Sequence, residues 1–242
     1  MILGDGTLHL RLRKSDKGSI WLIPTLFLPQ LKNKYSAHFF DILERFFKSL
    51  DIKVYIINNA KDSETKEILS SSLKVDTNSI KKMTILSVES IHSMFEKLIP
   101  LILPYSHYFY WKFEQFELMS RVALLVSKKA HLTLYGFKTI ILIIYSYSNK
   151  RSQSKEFWIE VLESWFKSQA AENKSGEHMI QAVYGRGTLK QKIIAWKCVF
   201  PINSNLNSRQ FGFSNDMESR LALYNCIKYR DSNIKYWVDS LK

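Results

Sequence analysis

Residues 7–13 alternate Thr7, His9, Arg11 and Arg13 with Leu8, Leu10 and Leu12. A period of two is that of an extended strand, whose side chains point in turn to opposite faces. One face of this strand is aliphatic and the other is cationic and hydrogen-bonding. Guanidinium groups match phosphate oxygens and guanine edges, so the second face is suited to a nucleic acid. Lys14 carries the charge into the following turn, and Lys81 and Lys82 place two ammonium groups at the start of a later strand.

Other chemistries find less support. The six histidines, His9, His38, His92, His107, His131 and His178, show no metal-ligand spacing. Cys198 and Cys226 lack CxxC partners and do not make a disulfide framework, which fits a reducing compartment. No nucleophile elbow is present. Gly185-Arg186-Gly187 is followed by no Gly-Lys-Ser/Thr, so it is not a phosphate-binding loop. The run Tyr105, Tyr108, Phe109, Tyr110 and Trp111 is expected to form helix core rather than a base-stacking platform, given the area such rings bury.

Several elements must position the cationic strand. Lys14 to Gly18 make a turn, and Ile20 to Leu28 form a second strand, which Pro24 and Pro29 mark as irregular or at an edge. Ser36 is expected to cap a helix over 37–50 with an apolar stripe of Phe39, Phe40, Leu43, Phe46, Phe47 and Leu50. Strands follow at Lys53 to Ile57 and Lys81 to Val88, separated by a long polar connection. Ser90 caps a helix to about Leu103 that turns Ile91, Met94, Phe95 and Leu98 inward; further helices run from His107 to Val126 and from Thr133 to Tyr147. The order β-β-α-β-β-α-α-α predicts an α+β domain over 1–149: a four-stranded antiparallel sheet with helices on one face. Those helices would cover the leucines of the first strand and leave Thr7, His9, Arg11 and Arg13 open. The polar run Lys150 to Lys155 reads as a linker to a small α+β extension over 150–242. That extension has a helix at Phe157 to Ala170, strands at Met179 to Tyr184 and Lys192 to Phe200, and a helix at Met217 to Tyr229.

The chain has 242 residues and a formal net charge of +13, which favours a polyanionic partner. Residues 150–242 contribute +6 and residues 1–149 contribute +7, so no single basic tail explains the excess. Hydrophobic residues make up 46%, which places the chain among folded proteins. The longest apolar stretch, Ile140 to Tyr145, is too short to span a bilayer, and nothing at the start reads as a secretory signal. Glycine is scarce, while Ile, Lys, Asn, Ser, Phe and Tyr are abundant, as AT-rich codons would give.

Leu3-Gly4-Asp5-Gly6-Thr7-Leu8 resembles the end of a LAGLIDADG homing-endonuclease motif, where a helix closes on an acidic residue and glycine and a strand begins. The β-β-α-β-β-α order is that family's order. Residues Ile85 to Ile91 resemble its fourth strand and following helix. Residues 104–149 are similar to the helical tail of organellar members, most specifically in Ala130-His131-Leu132-Thr133-Leu134-Tyr135-Gly136-Phe137. The resemblance covers residues 1 to about 149. It implies a sheet that sits as a saddle over the DNA major groove and a motif helix that packs against a partner. By resemblance Asp5 is the acidic catalytic residue that holds a divalent metal, Mg²⁺ in an active nuclease; read locally, Asp-Gly is a helix-to-strand turn. Gln30 would orient water. Where the family often has a basic residue after the fourth strand, this chain offers Ser90 with His92 nearby.

Only Met1, Ile2 and Leu3 precede Gly4, too few for the pairing helix, so the expectation is either that an upstream segment lies outside this numbering or that the chain does not pair in the family's way and its cleavage seam is incomplete. The expected function is therefore a LAGLIDADG-like nucleic-acid-binding protein that does not rely on cleavage. Its expected ligand is a structured RNA, either an intron as in maturases or mitochondrial ribosomal RNA, the latter within a larger ribonucleoprotein assembly. Thr7, His9, Arg11, Arg13, Lys14, Lys81 and Lys82 would touch the nucleic acid, and the mitochondrial matrix would be the compartment. The alternative is an active Mg²⁺-dependent endonuclease that cuts double-stranded DNA as a dimer.

Overall fold

The computed structural model describes residues 6–57, 83–108, 112–147, 153–185 and 192–241. Asp5, Lys81, Lys82 and the aromatic residues 109–111 lie outside this set, as do the polar connection 58–82 and residues 148–152, which include the first half of the linker. Among the described residues the strands form two sheets. The chain divides into two compact units. The first holds β1 up to Arg13 and residues Trp21–Ala123; the second holds the hairpin tip Lys14–Ile20 and the chain from Leu124 onward. This compact division falls earlier than the sequence boundary at 149.

In the first unit, β1 (Thr7–Lys14) and β2 (Ile20–Leu31) form a hairpin. Its turn is closed by the Ser15 N–H donating to Ser19 O at 2.8 Å, with Gly18 at a φ of +81° that glycine adopts without strain. The sheet order is β1-β2-β4-β3, with β3 at Tyr55–Ile57 and β4 at Met83–Val88. β2 is therefore a central strand, not the edge strand its prolines suggested, and it runs on through Pro29, which pairs with Ile85. β1 and β3 are the edge strands. On β1 the Leu8 N–H donates to Gln115 Oε1 at 3.2 Å, so a side chain blunts the exposed ladder at that point.

Asn33, not Ser36, caps α1 (Lys34–Ser49). Its side chain accepts from the N–H groups of Tyr35 and Ser36, while Ser36 Oγ accepts from the Asn33 N–H, a reciprocal capping box. The expected six-residue apolar stripe is wider than the buried face. Phe40 and Phe47 are buried, Phe39 and Leu43 half-buried, and Phe46 and Leu50 exposed. Burying a phenylalanine side chain is worth ~1.5–3 kcal/mol, so two such rings suffice to dock a helix of this length. Ser90 does cap the next helix, α2, which is π-type over His92–Leu98 and α-type over Ile99–Ile102: Ser90 Oγ accepts from the Ser93 N–H at 3.3 Å. Met94, Phe95 and Leu98 are buried as expected. The chain then tightens into a 3₁₀ segment, Leu103–Tyr108, and α3 spans Phe113–Ser127. His107 and Tyr108, where a helix is expected to begin, thus belong to the 3₁₀ segment. Tyr105 and Tyr108 are exposed there, contrary to the expectation of a buried cluster.

In the second unit, α4 (Leu134–Tyr147) packs with α5 (Lys155–Ala171) and with α6 (Asp216–Asp239), a helix that runs well past the Tyr229 at which its sequence pattern fades. β5 (Ile180–Tyr184) and β6 (Ile193–Cys198) pair antiparallel as expected, and a short third strand, β7 (Gln210–Gly212), joins β6. α6 covers this sheet, held by Trp196 Nε1, which donates to Ser219 O at 3.2 Å. Cys198 at the end of β6 and Cys226 on α6, 28 residues apart, lie side by side as buried free thiols with sulfurs 2.9 Å apart.

The start of α4 explains the most specific stretch of the family resemblance. Thr133 Oγ1 accepts from the Gly136 N–H at 3.0 Å and donates to Ala130 O at 2.9 Å. A Cβ at residue 136 would lie 2.1 Å from Ala130 O, a backbone atom that cannot swing away. Glycine is thus required by space rather than by dihedral angle. Gly136→Ala is expected to destabilise the protein by roughly 1–3 kcal/mol or more, read as a lowered urea midpoint with unchanged slope. An unchanged midpoint would show that the turn opens without cost.

Candidate nucleic-acid interface

The candidate interface lies on β1, where burial of the leucines decides which way the cations point. Leu8 and Leu10 are buried, and alternation turns His9, Arg11 and Arg13 to the other face. That face opens along the strand. Thr7 is only 3% exposed, His9 and Arg11 are half-buried, and Arg13 is exposed with no ion pair among the described residues. The expectation of a uniformly open face is therefore corrected at Thr7, which is packed rather than presented. Lys14, the last residue of β1, is exposed and groups with the second unit.

The central strands depart further from that expectation. Directly opposed residues of an antiparallel pair share a face, so Phe27, Ser87 and Tyr55 form one cross-strand row, and Leu28, Leu86 and Ile56 the next on the opposite face. Phe27, Ser87, Leu28 and Leu86 are all buried. The middle of the sheet is thus covered on both faces, and accessible surface lies toward its edges and the hairpin. Thr25 Oγ1 and Ser87 Oγ are buried without a hydrogen-bond partner among the described residues. Ser87 lines a cleft of about 370 Å³ with Tyr55, Ile57, Glu89 and Ser90.

Residue periodicity missed three features of this unit. Trp21, beside the hairpin, is 56% exposed while its neighbours Ile20 and Leu22 are buried. Tyr55 is exposed on the edge strand β3, with the exposed Lys53 ammonium 5.2 Å from its ring centroid. Tyr105 and Tyr108 add further exposed rings. An exposed aromatic ring offers a face to an unstacked base, and a neighbouring cation suits the phosphate. The buried–exposed–buried alternation at residues 20–22 was the signal available for Trp21.

Candidate catalytic groups are not brought together among the described residues. Gln30 lies near the end of β2 away from the hairpin, opposite Thr84 and half-buried. His92 is exposed on α2, with its Nδ1 2.6 Å from Glu96 Oε2, one helical turn on. No group of three or more His, Cys, Asp or Glu among the described residues is placed to hold a metal ion. Asp5 lies outside those residues, so the fit of Mg²⁺ rests on a position without described geometry.

Solved structures of similar shape come from one group of enzymes. The archaeal intron-encoded homing endonuclease I-Vdi141I, determined in complex with DNA, superposes with a TM-score of 0.50 at 15% identity, over 68% of this chain and 91% of that one. The group I intron-encoded homing endonuclease I-CeuI, also complexed with DNA, gives 0.48 at 14% identity, over 66% and 72%. The meganuclease I-SmaMI, bound to uncleavable DNA, gives 0.42 at 18% identity; the match covers 62% of this chain and 42% of I-SmaMI. No family model and no curated protein sequence matches the chain. At such identities structural likeness speaks to fold alone. The strand order, the helices after β2 and β4 and the likeness to I-Vdi141I agree: the fold of this chain is that of the LAGLIDADG homing endonucleases.

Proposed function

We propose that this chain is a LAGLIDADG-family protein that binds nucleic acid through the outer face of β1. The observation that carries the reading is the strand itself. Buried leucines fix its register, and Arg11 and Arg13 lie on the opposite face of a protein with a net charge of +13. His9 flanks them, and Trp21 and Tyr55 are among the exposed rings of this unit on which an unpaired base could stack. Residues 1–149 form the binding domain in this reading, and 150–242 a basic extension that adds binding surface.

Structured RNA is the proposed ligand, as for an intron maturase or a mitochondrial ribosomal component. The accessible part of the cationic face is short because Thr7 and the central strands are covered. A short strip meets phosphates and reads shape rather than a long run of base edges, and that is the mode an RNA helix imposes. The AT-rich composition supports an organellar gene and the mitochondrial matrix as the compartment. Substituting both Arg11 and Arg13 with Ala is expected to weaken RNA binding and to flatten its salt dependence. The logarithmic slope should fall by roughly 0.7–0.9 for each phosphate that the variant no longer neutralises. Arg13→Ala alone, at an exposed position, should retain the native fold and show about half of that change. Unchanged affinity and slope in the double variant would overturn the assignment.

A second reading is favoured by one specific observation, the likeness to I-Vdi141I, whose structure contains DNA. Here the chain is an active Mg²⁺-dependent endonuclease that cuts double-stranded DNA as a dimer. Asp5 would hold the metal, whose chemistry is to clamp the attacking and leaving oxygens of the phosphodiester. Gln30 would orient water. Asp5→Asn should then abolish Mg²⁺-dependent cutting of duplex DNA and spare binding. Absence of any Mg²⁺-dependent cutting by the unaltered protein on the duplex it binds would exclude this reading.

A further inference from the structure

The second unit contains a cavity of about 480 Å³, built entirely from its own residues on α4, α5, α6 and the segment before β5. That volume is within the roughly 300–1,000 Å³ typical of small-molecule sites. The 176–179 wall is pinned from several directions. Asn173 Nδ2 donates to Glu177 O at 2.9 Å, Ser175 Oγ donates to Ile180 O at 2.8 Å, and Arg230 Nη1 donates to His178 O at 2.7 Å. Met179 is held at a φ of +61°, a left-handed conformation costly for a side chain of that type. Backbone strain retained in a cavity wall means the wall is fixed in advance rather than shaped by packing alone.

The charges of the cavity do not cancel. Its carboxylates Glu163, Glu177 and Asp231 are each taken up by a cation of the same cavity: Glu163 by Lys138, Glu177 by Arg230 Nη1 at 3.0 Å, and Asp231 by Arg230 Nε at 2.7 Å. Lys167 and Lys235 remain, exposed and without an ion pair among the described residues. Part of the remaining lining is aromatic and apolar. The rings of Phe166 and His178 meet edge to face, with centroids 4.7 Å apart, and Tyr135 and Ile234 complete the wall. Burial, and then the nearby Arg230 charge, hold the His178 imidazole below its ordinary pKa. It is therefore neutral near pH 7, able to donate one hydrogen bond and accept another.

We propose that this cavity binds an aromatic base bearing a phosphate, with the ring packed against the His178 and Tyr135 side chains, His178 being braced edge to face by the buried Phe166, and the phosphate on Lys167 and Lys235. Compact ammonium groups act on a phosphate as point charges, and a pre-formed aromatic wall offers stacking at little ordering cost. The same chemistry is carried by a free mononucleotide and by an unpaired nucleotide within a strand. The site belongs to the second unit.

The test uses the full chain and calorimetric titration with adenosine 5′-monophosphate, adenosine, and a 5′-phosphorylated tetra-adenylate. The monophosphate is expected to bind at least tenfold more tightly than adenosine. Lys167→Met with Lys235→Met, which keeps the aliphatic stems, should remove that preference while the melting temperature stays unchanged. Tighter binding of the tetranucleotide than of the monophosphate would identify a strand as the source, and equal binding a free nucleotide. Equal affinity for monophosphate and adenosine, no binding of the monophosphate and tetranucleotide, or unaltered binding by the double variant would overturn the proposal.

Discussion

Burial of Leu8 and Leu10 is the constraint on which the orientation of the β1 cations, and with it the proposed interface, depends. Side chains of a strand alternate, so a slip of one residue would move both leucines to the outer face and drive Arg11 and Arg13 into the core. The cost of burying unpaired guanidinium groups makes that slip prohibitive. Hydrophobic burial, which has no directional preference, thereby sets the direction of the charges. Gln115 completes the arrangement by accepting the Leu8 N–H at the free edge of the sheet. The edge is blunted against pairing with another chain at that point, while the cationic end of β1 at Arg13 remains exposed.

The parts of this fold that are legible in the sequence are those decided locally. The period-two pattern of residues 7–13 marks β1 and its leucine face, Ser90 marks the cap of α2, and the stretch from Ala130 to Phe137 marks the start of α4. Each rests on interactions between residues a few positions apart. The sheet order is not legible. Pro24 and Pro29 argue locally for an edge, yet β2 is flanked on both sides because β4 returns to pair with it. Thr7 likewise has the sequence character of an exposed residue, and its burial depends on tertiary packing that a strand pattern does not encode. The capping box at Asn33 is within reach of the sequence, since Asn precedes Ser36 by three residues; choosing Ser36 as the cap puts the helix start on the wrong side of that pair.

The second unit shows the same division more sharply. Its helices and the pairing of β5 with β6 follow from periodicity, while β7 is too short to give a period at all. Cys198 and Cys226 read as unrelated in the sequence, and become neighbours because α6 crosses β6. The cavity draws on four separate segments, and its excess charge emerges only after each carboxylate has been assigned to its partner. Composition reports a basic half-chain, but only the ion pairs show which lysines are left over.

Whether nucleic acid meets β1 in the native protein is the central question. The most direct measurement is ultraviolet cross-linking of the protein purified from its source at physiological salt, followed by sequencing of the attached nucleic acid and mapping of the modified peptides. The expected result is one abundant, intact RNA, with cross-links in the segment 7–21 that holds the β1 face and Trp21. Recovery of no nucleic acid, or cross-links confined to residues beyond 124, would contradict a β1 interface.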